Sequence, residues 1–505
     1  MGDIGSILSQ AWHFIGSPTA LFLIFVGTFM GLVFGAIPGL TSMIGITLLI
    51  PITYLLPQTL AIGMLISVYV GGMAGGAISA ILLNIPGTPN AIVTSFDGYP
   101  MCQQGRGAEA MGWAATASTF GSLFSWVVLV FLSTALAKVA ISFSSPEYFS
   151  LALLGLAIIA SISSEDAFKG VSMACLGIII GCVGIDPALG DYRFTFGNVS
   201  LIGGIQRAAV ILGVYSIPRI FDICNERNTI KQINLTVKDF VPSPLKIWKA
   251  KKPLLLSSII GTIIGIIPAT GANIANFISY DQCRRISKSP ETFGKGNYEG
   301  VIAAETTNNA VVGGALIPML TLGIPGDAIT AVILGALMLH GVHPGPRLFA
   351  TQPDFVVGIF TTMLVATVMM YLIQLVGIKF FIKILSLPSN YLVAGLVLIT
   401  MIGSFSVHNS YFDIIITLFF GLCGYLLVKA KYPLSPLVLG LVLGDLFEFE
   451  LRTALRMHGG RWQVFFTRPV SCTVIILVLL SVAFVIIKEY IPNFKKKKNK
   501  EDIKL

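Results

Sequence analysis

The sequence contains little charge for its length. Only 11% of its 505 residues are charged, whereas charged residues make up roughly 25% of ordinary soluble chains. Hydrophobic residues account for 55%, and the mean hydropathy is +0.84. A soluble fold has too little interior to bury such a share of apolar side chains. The composition therefore excludes a soluble protein and indicates one that is embedded in a membrane.

Residues that build disulfide frameworks or metal centres are also scarce. The seven cysteines are scattered and odd in number, and the five histidines show no metal-ligand spacing, which argues against a disulfide framework and a zinc site. The Walker A, His-Glu-x-x-His and Gly-x-Ser-x-Gly patterns of common catalytic sites are absent from the sequence. We therefore expect a protein that is not an enzyme and that needs no bound cofactor.

Positive charge is absent from the first part of the chain and concentrated in two later segments. No lysine or arginine precedes Arg106, whereas seven lie between residues 225 and 252 and a further cluster begins at Lys495. By the positive-inside rule, both segments are predicted to be cytoplasmic. Because the cations lie in loops and a tail rather than on a folded face with interleaved aromatics, we expect contacts with membrane lipids and no nucleic-acid partner.

Apolar runs fill the rest of the chain. Several approach the ~20 residues that cross a bilayer as a helix, and runs packed end to end predict an all-α polytopic membrane protein with roughly 12 transmembrane helices. The charge pattern divides the chain into four segments: a first membrane half at 1–224, a basic cytoplasmic linker at 225–252, a second membrane half at 253–490 and a Lys-rich cytoplasmic tail at 491–505.

The two halves contain matching motifs. Met30–Gly39 is similar to Ile260–Ala269, and each segment ends in an Ile-Pro pair followed by a small residue. Downstream, each half repeats a Gly-Gly segment and then a second Ile-Pro-Gly motif: Gly75–Ile78 with Ile85–Thr88, and Gly313–Leu316 with Ile324–Asp327. Since the uncharged first half is expected to start outside and the second half in the cytoplasm, the two copies are predicted to be inverted repeats, which are typical of secondary transporters.

Each Ile-Pro motif predicts an interruption of a membrane helix. Proline removes a backbone donor and glycine relaxes φ, so the helix stops and leaves polar backbone groups that require other partners. Broken helices or re-entrant hairpins of this kind form transport sites, where helix N-termini face an anion and free carbonyls coordinate a cation. The alternative interpretation is that glycine and proline only permit close packing and kinks.

Polar side chains cluster around the predicted interruptions, which themselves contain no lysine or arginine. We therefore expect amides, hydroxyls and helix dipoles to hold an anionic substrate, and oxygen atoms to hold a coupling cation. The predicted substrate-binding residues are Thr41, Ser42, Asn84, Pro86, Gly87, Thr88, Thr270, Gly271, Asn273, Asn308, Asn309, Pro325 and Gly326. The predicted cation-coupling residues are Asp97, Thr307 and Asp327.

A set of motifs that covers nearly the whole chain resembles the large permease subunit of the tripartite tricarboxylate transporter family. The matching motifs are Ile37–Leu40, Gly71–Gly72, Gly75–Gly76, Ile85–Thr88, Asp97–Pro100, Arg193–Gly197, Phe293–Gly296, Glu299–Val301, Asn308–Ala310, Leu322–Gly326, Pro344–Pro346 and Leu441–Arg452. Two positions depart from the family pattern. Ala269 replaces a usual glycine, and Asp327 adds a negative charge that favours a cation or proton role there.

This resemblance implies a subunit of the bacterial plasma (inner) membrane that works with a small transmembrane subunit and an extracytoplasmic solute-binding protein. It implies uptake of a carboxylate, either a tricarboxylate such as citrate or a dicarboxylate, coupled to Na⁺ or H⁺. Similarity to other binding-protein-dependent secondary transporters suggests an elevator-type motion. The alternatives are a stand-alone carboxylate permease, and a channel, although the sequence has no repeated ring of pore-lining charge.

Two charged clusters are interpreted as structural. Glu448, Glu450, Arg452 and Arg456 have the spacing of ion pairs along a helix at a membrane boundary. Asp186, Asp191 and Arg193 are predicted to hold a loop together.

Overall fold

The computed structural model describes most of the chain. The described residues are 14, 16–38, 40–140, 143–162, 167–186, 190–225, 240–268, 271–385 and 389–480. Half of the predicted basic linker, the whole Lys-rich tail and the predicted site residue Thr270 lie outside these ranges.

The described residues are almost entirely helical. The helices of the first half are α1 (Pro18–Ala36), α2 (Ser42–Thr53), α3 (Gln58–Leu83), α4 (Ile92–Met101), α5 (Gly107–Ala140), α6 (Ser145–Ile162), α7 (Ala167–Gly181) and α8 (Arg207–Asn225). Short elements join them: 3-10 turns at Pro89–Ala91 and Val199–Leu201, a π turn at Cys102–Arg106, and an antiparallel pair of two-residue strands, β1 (Gly184–Ile185) and β2 (Tyr192–Arg193).

The second half is helical as well. Its helices are α9 (Pro244–Lys249), α10 (Lys251–Ile266), α11 (Gly271–Ile286), α12 (Tyr298–Leu322), α13 (Ala328–Leu339), α14 (Leu348–Thr351), α15 (Pro353–Leu385), α16 (Ser389–His408), α17 (Tyr411–Lys429), α18 (Ser435–Met457), α19 (Val464–Thr467) and α20 (Pro469–Leu480). A 3-10 turn at Pro290–Thr292 precedes α12.

Five stretches of helix within the described ranges are long and apolar enough to cross a membrane. They are Pro18–Ala36, Gln58–Leu83, Pro89–Lys138, Pro353–Ile378 and Tyr411–Lys429. Shorter apolar helices accompany them. These findings confirm the predicted all-α membrane class, whereas the predicted total of roughly 12 spans stays a prediction.

Glycines allow α1 and α3 to pack with their backbones in contact. A Cβ on Gly31 would overlap the Val68 carbonyl, and a Cβ on Gly71 would overlap the Thr28 carbonyl. One turn further along α1, Gly35 lies against Gly72 and Gly75 in the same way. Small residues at such positions are the usual means by which membrane helices approach closely, because dispersion contacts there replace the missing hydrophobic driving force.

The second half contains an equivalent close contact between α10 and α12, and we call these two helix contacts the glycine seams. A Cβ on Gly261 would contact the Thr307 carbonyl, and one on Gly265 would contact the Val311 carbonyl. From the other side, a Cβ on Gly314 would contact the Thr262 carbonyl and Gly265. Thus Gly265 and Gly314 occupy in this seam the places that Gly35 and Gly75 occupy in the first.

The chain forms two compact units, and each takes residues from both predicted halves. The first unit comprises 1–140, 208–321 and 325–425, and contains both glycine seams. The second comprises 141–207, 322–324 and 426–505. In the second unit α7 packs on α18 through small residues, since a Cβ on Gly177 would overlap the Leu437 carbonyl and one on Gly440 the Ala174 carbonyl.

We predict that Gly31→Ala lowers the thermal stability of the detergent-purified protein, because α1 and α3 would have to separate to admit the Cβ. Gly395→Ala is the matched control: a Cβ there meets no atom within 4 Å, and replacing a helical glycine by alanine ordinarily stabilises a helix by about 0.5–1 kcal/mol. The midpoint of thermal unfolding, measured by scanning fluorimetry, should fall for Gly31→Ala only. Equal midpoints for both variants would contradict the close packing of the seam.

Candidate functional site

The first helix interruption separates α1 from α2. Helix α1 ends at Ala36, and Ile37 leaves the helix with φ −76° and ψ 119°, which are the extended angles that a residue before proline adopts. Helix α2 begins at Ser42, where the Thr41 hydroxyl accepts a hydrogen bond from the Ile44 N–H at 3.4 Å. Sequence analysis therefore placed this interruption correctly. Thr41 caps a helix N-terminus there, and that end of a helix carries partial positive charge.

The second interruption separates α3 from α4. Asn84 follows the last helical residue in a left-handed conformation, with φ 57° and ψ 25°, and its side chain is exposed. The chain then runs through Pro86 and Gly87 to Thr88, which is extended and precedes the 3-10 turn that leads into α4. Gly87 is required here, because a Cβ would overlap the Gly35 carbonyl at the end of α1.

Three buried hydroxyl groups line the first two interruptions. Ser42 lies against Gly72, and Thr88 lies against Gly76. Because Gly72, Gly76 and Ser79 are spaced at three and four residues, they share one face of α3. The three side chains are at most 3% exposed, and their oxygens have no hydrogen-bond partner among the described residues. We call Ser42, Ser79 and Thr88 the hydroxyl cluster.

The interruptions of the second half have matching backbone geometry. Ile267 leaves α10 with φ −77° and ψ 114°, within a few degrees of Ile37. Gly323 follows α12 in the left-handed conformation, with φ 70°, at the place that Asn84 has after α3. Gly326 packs against the Gly265 carbonyl and Ala315, as Gly87 packs against Gly35. Pro325 and Gly326 are buried.

Asp327 is the N-cap residue of α13, and both of its carboxylate oxygens accept hydrogen bonds. Its Oδ1 accepts hydrogen bonds from the Thr330 N–H at 2.7 Å and from the Thr330 hydroxyl at 2.8 Å. Its Oδ2 accepts one from the Tyr69 hydroxyl of α3 at 2.5 Å. Asp327 therefore fixes the start of α13 and connects it to α3. Its cation-coupling role stays a prediction, as does that of Thr307, whose hydroxyl donates to the Ser257 carbonyl at 3.2 Å.

Asp97 anchors the turn before α12. Its Oδ1 accepts hydrogen bonds from three backbone N–H groups at 2.8–2.9 Å, and its Oδ2 accepts one from the Tyr280 hydroxyl at 2.7 Å. The backbone donors belong to Gly294, Gly296 and Asn297, and both glycines have positive φ. Because the carboxylate is fully buried and already has four donors, its geometry favours an anchor, while the predicted cation role stays a prediction.

Asn308 and Asn309 connect the two halves at the middle of α12. Both are fully buried. Their amide groups donate to α3 carbonyls, Asn308 to Met73 at 2.8 Å and Asn309 to Val70 at 3.4 Å. Their Oδ1 atoms lack a hydrogen-bond partner within the described part of the chain. Of the other predicted residues, Asn273 is exposed on α11 and Gly271 begins that helix.

Two charged residues that sequence analysis did not select lie near this region. The Arg219 guanidinium of α8 donates to the Pro38 carbonyl at 3.2 Å, which brings a cation to the first interruption even though the interruption itself has none. Glu305 of α12 is fully buried beside Thr94 and Ser118. A charged residue inside an apolar run is itself a sequence signal of function, and Glu305 could have been found by it. The contact of Arg219 with Pro38 could not.

The charged clusters of the second unit form ion pairs, as predicted. Arg193 pairs with Asp186, and with Glu448 at 2.8 Å. Arg452 pairs with the same two carboxylates at 2.9 and 2.8 Å. Hydrogen bonds to Glu448 and Asp186 raise the pKa of Arg193 further above its ordinary value, so it stays charged. These four residues line a cavity of about 500 Å³, where their mutual pairing indicates a structural role.

Long apolar helices with paired interruptions define a polytopic helical membrane protein. The sequence model described as the tripartite tricarboxylate transporter TctA family matches residues 21–439. The chain therefore belongs to this family, the large subunit of tripartite tricarboxylate transporters. The family implies a tripartite system with a small subunit and a binding protein.

Two proteins of Agrobacterium vitis are similar to the chain. The uncharacterized 52.8 kDa protein in the TAR-I ttuC' 3' region is 33% identical over 507 residues, which cover 99% of both chains. The uncharacterized protein in the TAR-II ttuC' 3' region is 34% identical over 239 residues, which cover 47% of this chain and 97% of that protein. No solved structure matches the chain significantly.

We predict that Asp97→Asn lowers the thermal unfolding midpoint. Hydrogen bonds to a charged group contribute about 1.5–3 kcal/mol each. In the variant, the NH₂ group of asparagine would replace one carboxylate oxygen and would face N–H or O–H groups that now donate to that oxygen. Asp281→Asn is the control, because that carboxylate is exposed and pairs with Arg285 one turn away. A variant with the wild-type midpoint that had lost only the cation dependence of uptake would contradict the anchoring role and support the coupling role.

Proposed function

We propose that the protein takes up small organic carboxylates across the bacterial plasma membrane, driven by a cation gradient, as the large subunit of a binding-protein-dependent transporter. The substrate is a tricarboxylate such as citrate, or a dicarboxylate. The observation that carries this proposal is the hydroxyl cluster. Burying a hydroxyl without a partner is unfavourable. Three such groups around the first two interruptions, in a chain of this family, are therefore best explained as ligands of a transported species.

Two features of the first interruption suit an anion. The N-terminus of α2 carries the partial positive charge of a helix dipole, and Thr41 and Ser42 lie at that end. The Arg219 guanidinium lies beside the Pro38 carbonyl, and its positive charge is partly balanced by Asp222 at 3.9 Å. The hydroxyl cluster near the same interruption also suits a hard cation such as Na⁺, because such ions prefer oxygen ligands. We therefore assign the first interruption to the carboxylate, with the coupling cation close by.

The matched interruptions support the inverted repeat. Ile37 with Ile267, Asn84 with Gly323, and Gly87 with Gly326 pair residues of the same local geometry in the same order. The positive charge of 225–252 supports a cytoplasmic linker, which makes the two copies opposite in orientation. The Lys-rich tail supports a cytoplasmic C-terminus by the same rule.

Electrostatics requires that uptake be driven. Each negative charge moved against a potential of 100 mV costs about 2.3 kcal/mol, so a dianion costs roughly 4.6 and a trianion roughly 6.9 kcal/mol. We therefore propose that at least as many cations as substrate charges enter in each cycle. The two compact units support an elevator-type motion, because such a motion requires parts of the chain that can each remain rigid.

The experiment that tests this function measures radiolabelled uptake of di- and tricarboxylates into proteoliposomes. The vesicles contain this subunit and its small membrane partner, with and without the cognate binding protein and a Na⁺ or H⁺ gradient. We expect uptake only when the binding protein and a gradient are both present. Uptake without the binding protein would indicate a stand-alone permease, and flux that ignores every ion gradient would indicate a channel.

We further predict that Thr88→Val impairs uptake without lowering stability. Valine keeps the shape of threonine, and removing a buried hydroxyl that has no protein partner is close to neutral for folding. The loss of a substrate or cation ligand should raise KM about tenfold, which corresponds to about 1.4 kcal/mol. Thr361→Val is the control, because its buried hydroxyl bonds the Val357 carbonyl of its own helix. Wild-type KM for Thr88→Val would remove Thr88 from the proposed site.

A further inference from the structure

Glu305 lies in a closed contact between three helices. It is fully buried in α12. The Thr94 hydroxyl of α4 donates to its Oε1 at 2.5 Å, and the Ser118 hydroxyl of α5 donates to its Oε2 at 3.1 Å. Helix α5 packs tightly along α12 next to this point, since a Cβ on Gly121 would overlap the Thr306 carbonyl.

No basic side chain in the described ranges forms an ion pair with Glu305. The charged groups nearest to it on the surrounding elements have partners of their own, and Lys138 is exposed near the opposite end of α5, twenty residues beyond Ser118. On α4, Asp97 has four donors that include Tyr280. At the start of α5, Glu109 pairs with Arg106 and Lys246. At the start of α12, Glu299 accepts from the Ser287 hydroxyl, and Tyr298 stacks on Trp113.

A buried carboxylate without a countercharge is strongly unfavourable in a membrane protein, so Glu305 has to hold either a proton or a metal cation. The Thr94 hydroxyl at 2.5 Å and the Ser118 hydroxyl at 3.1 Å give each carboxyl oxygen a hydrogen-bond partner. Among the described residues no group of three His, Cys, Asp or Glu side chains could hold a metal ion, so the arrangement favours the proton. A hydroxyl can donate to a carboxylate and also accept from a carboxylic acid. Thr94 and Ser118 can therefore satisfy Glu305 in both protonation states.

We propose that Glu305 is the protonation site that couples carboxylate uptake to H⁺, an inference that rests on the proposed function and names its coupling ion. In each cycle the Glu305 side chain takes up one H⁺ from extracytoplasmic water, crosses with it as a neutral acid, and releases the same H⁺ to the cytoplasm. One of the cations that the proposed function requires thereby enters through Glu305 in each cycle. Sites of this kind commonly mark proton pathways in membrane transporters.

The first test is Glu305→Gln in proteoliposomes with the small subunit and the binding protein. Glutamine resembles the protonated acid and cannot release a proton. Accumulation driven by a pH gradient should fall at least about tenfold, whereas carboxylate exchange between equal pools should persist and lose its pH dependence. Glu109→Gln is the control, since that carboxylate pairs with Arg106 and Lys246 outside the proposed pathway. Its accumulation should equal that of the wild type.

The outcomes separate this inference from the proposed function. Full accumulation by Glu305→Gln in a pH gradient would overturn the role of Glu305. If a Na⁺ gradient then drove uptake equally in the wild type and the variant, the proposed cation-coupled uptake would still stand. Wild-type protein with no driven uptake under any gradient would overturn the proposed function itself.

A second test uses the wild-type protein and needs no transport. A hydrophobic carbodiimide reacts with protonated carboxyl groups, so mass spectrometry should find its adduct on Glu305 at low pH and a progressive loss of that adduct as the pH rises. This readout also decides the case if Glu305→Gln fails to fold. Absence of the adduct on Glu305 at every pH, with other carboxyl groups modified, would overturn the proposal.

Discussion

Backbone hydrogen bonding in a medium without water is the constraint on which the rest of this structure depends. A continuous helix satisfies its own backbone, whereas an interrupted one leaves N–H and C=O groups that the protein, water or a ligand has to satisfy. Here the two glycine seams bring other backbone atoms to each interruption. Gly35 carries its carbonyl against Gly87, and Gly265 carries its carbonyl against Gly326. A side chain at any of these positions would push the interruption away from the helix that supports it.

The interruptions could be predicted from sequence because their causes are local. Proline removes a donor and glycine permits the left-handed turn wherever they occur, so Ile37-Pro38 and Ile267-Pro268 predict their own geometry. The contacts around them could not be predicted, because they join residues far apart in the chain. Asp97 meets the turn at Gly294, and Tyr69 meets Asp327. Sequence analysis selected both carboxylates for coupling, and their partners give them a structural explanation that the sequence alone did not contain.

The sequence also did not predict which residues belong to each compact unit. Apolar periodicity and charge divide the chain at 225–252, but contacts gather 1–140 with most of the second half in one unit. Contacts between the halves hold this unit together, because α15 packs on α1, α3 and α5. The middle of α12 also bonds α3 through Asn308 and Asn309. Two amides that donate to carbonyls of a helix from the other half connect segments that hydropathy alone would keep separate. Each folded unit is therefore built from segments of both halves of the sequence.

The two halves share a backbone plan and differ in the charge that they place on it. The first interruption has a helix N-terminus and the Arg219 guanidinium, which favour an anion, and hydroxyls that can serve either an anion or a cation. The second half has Asp327 at the start of α13 and Glu305 in α12, which favour a proton or cation. The proposed transport of a carboxylate with a positive ion needs two sites of opposite preference, close enough to move together. Similar backbone geometry in the two halves, with different charged side chains placed on it, would meet that need. The Asn308 and Asn309 Oδ1 atoms of α12 lack donors in the described structure, and a bound water would satisfy them.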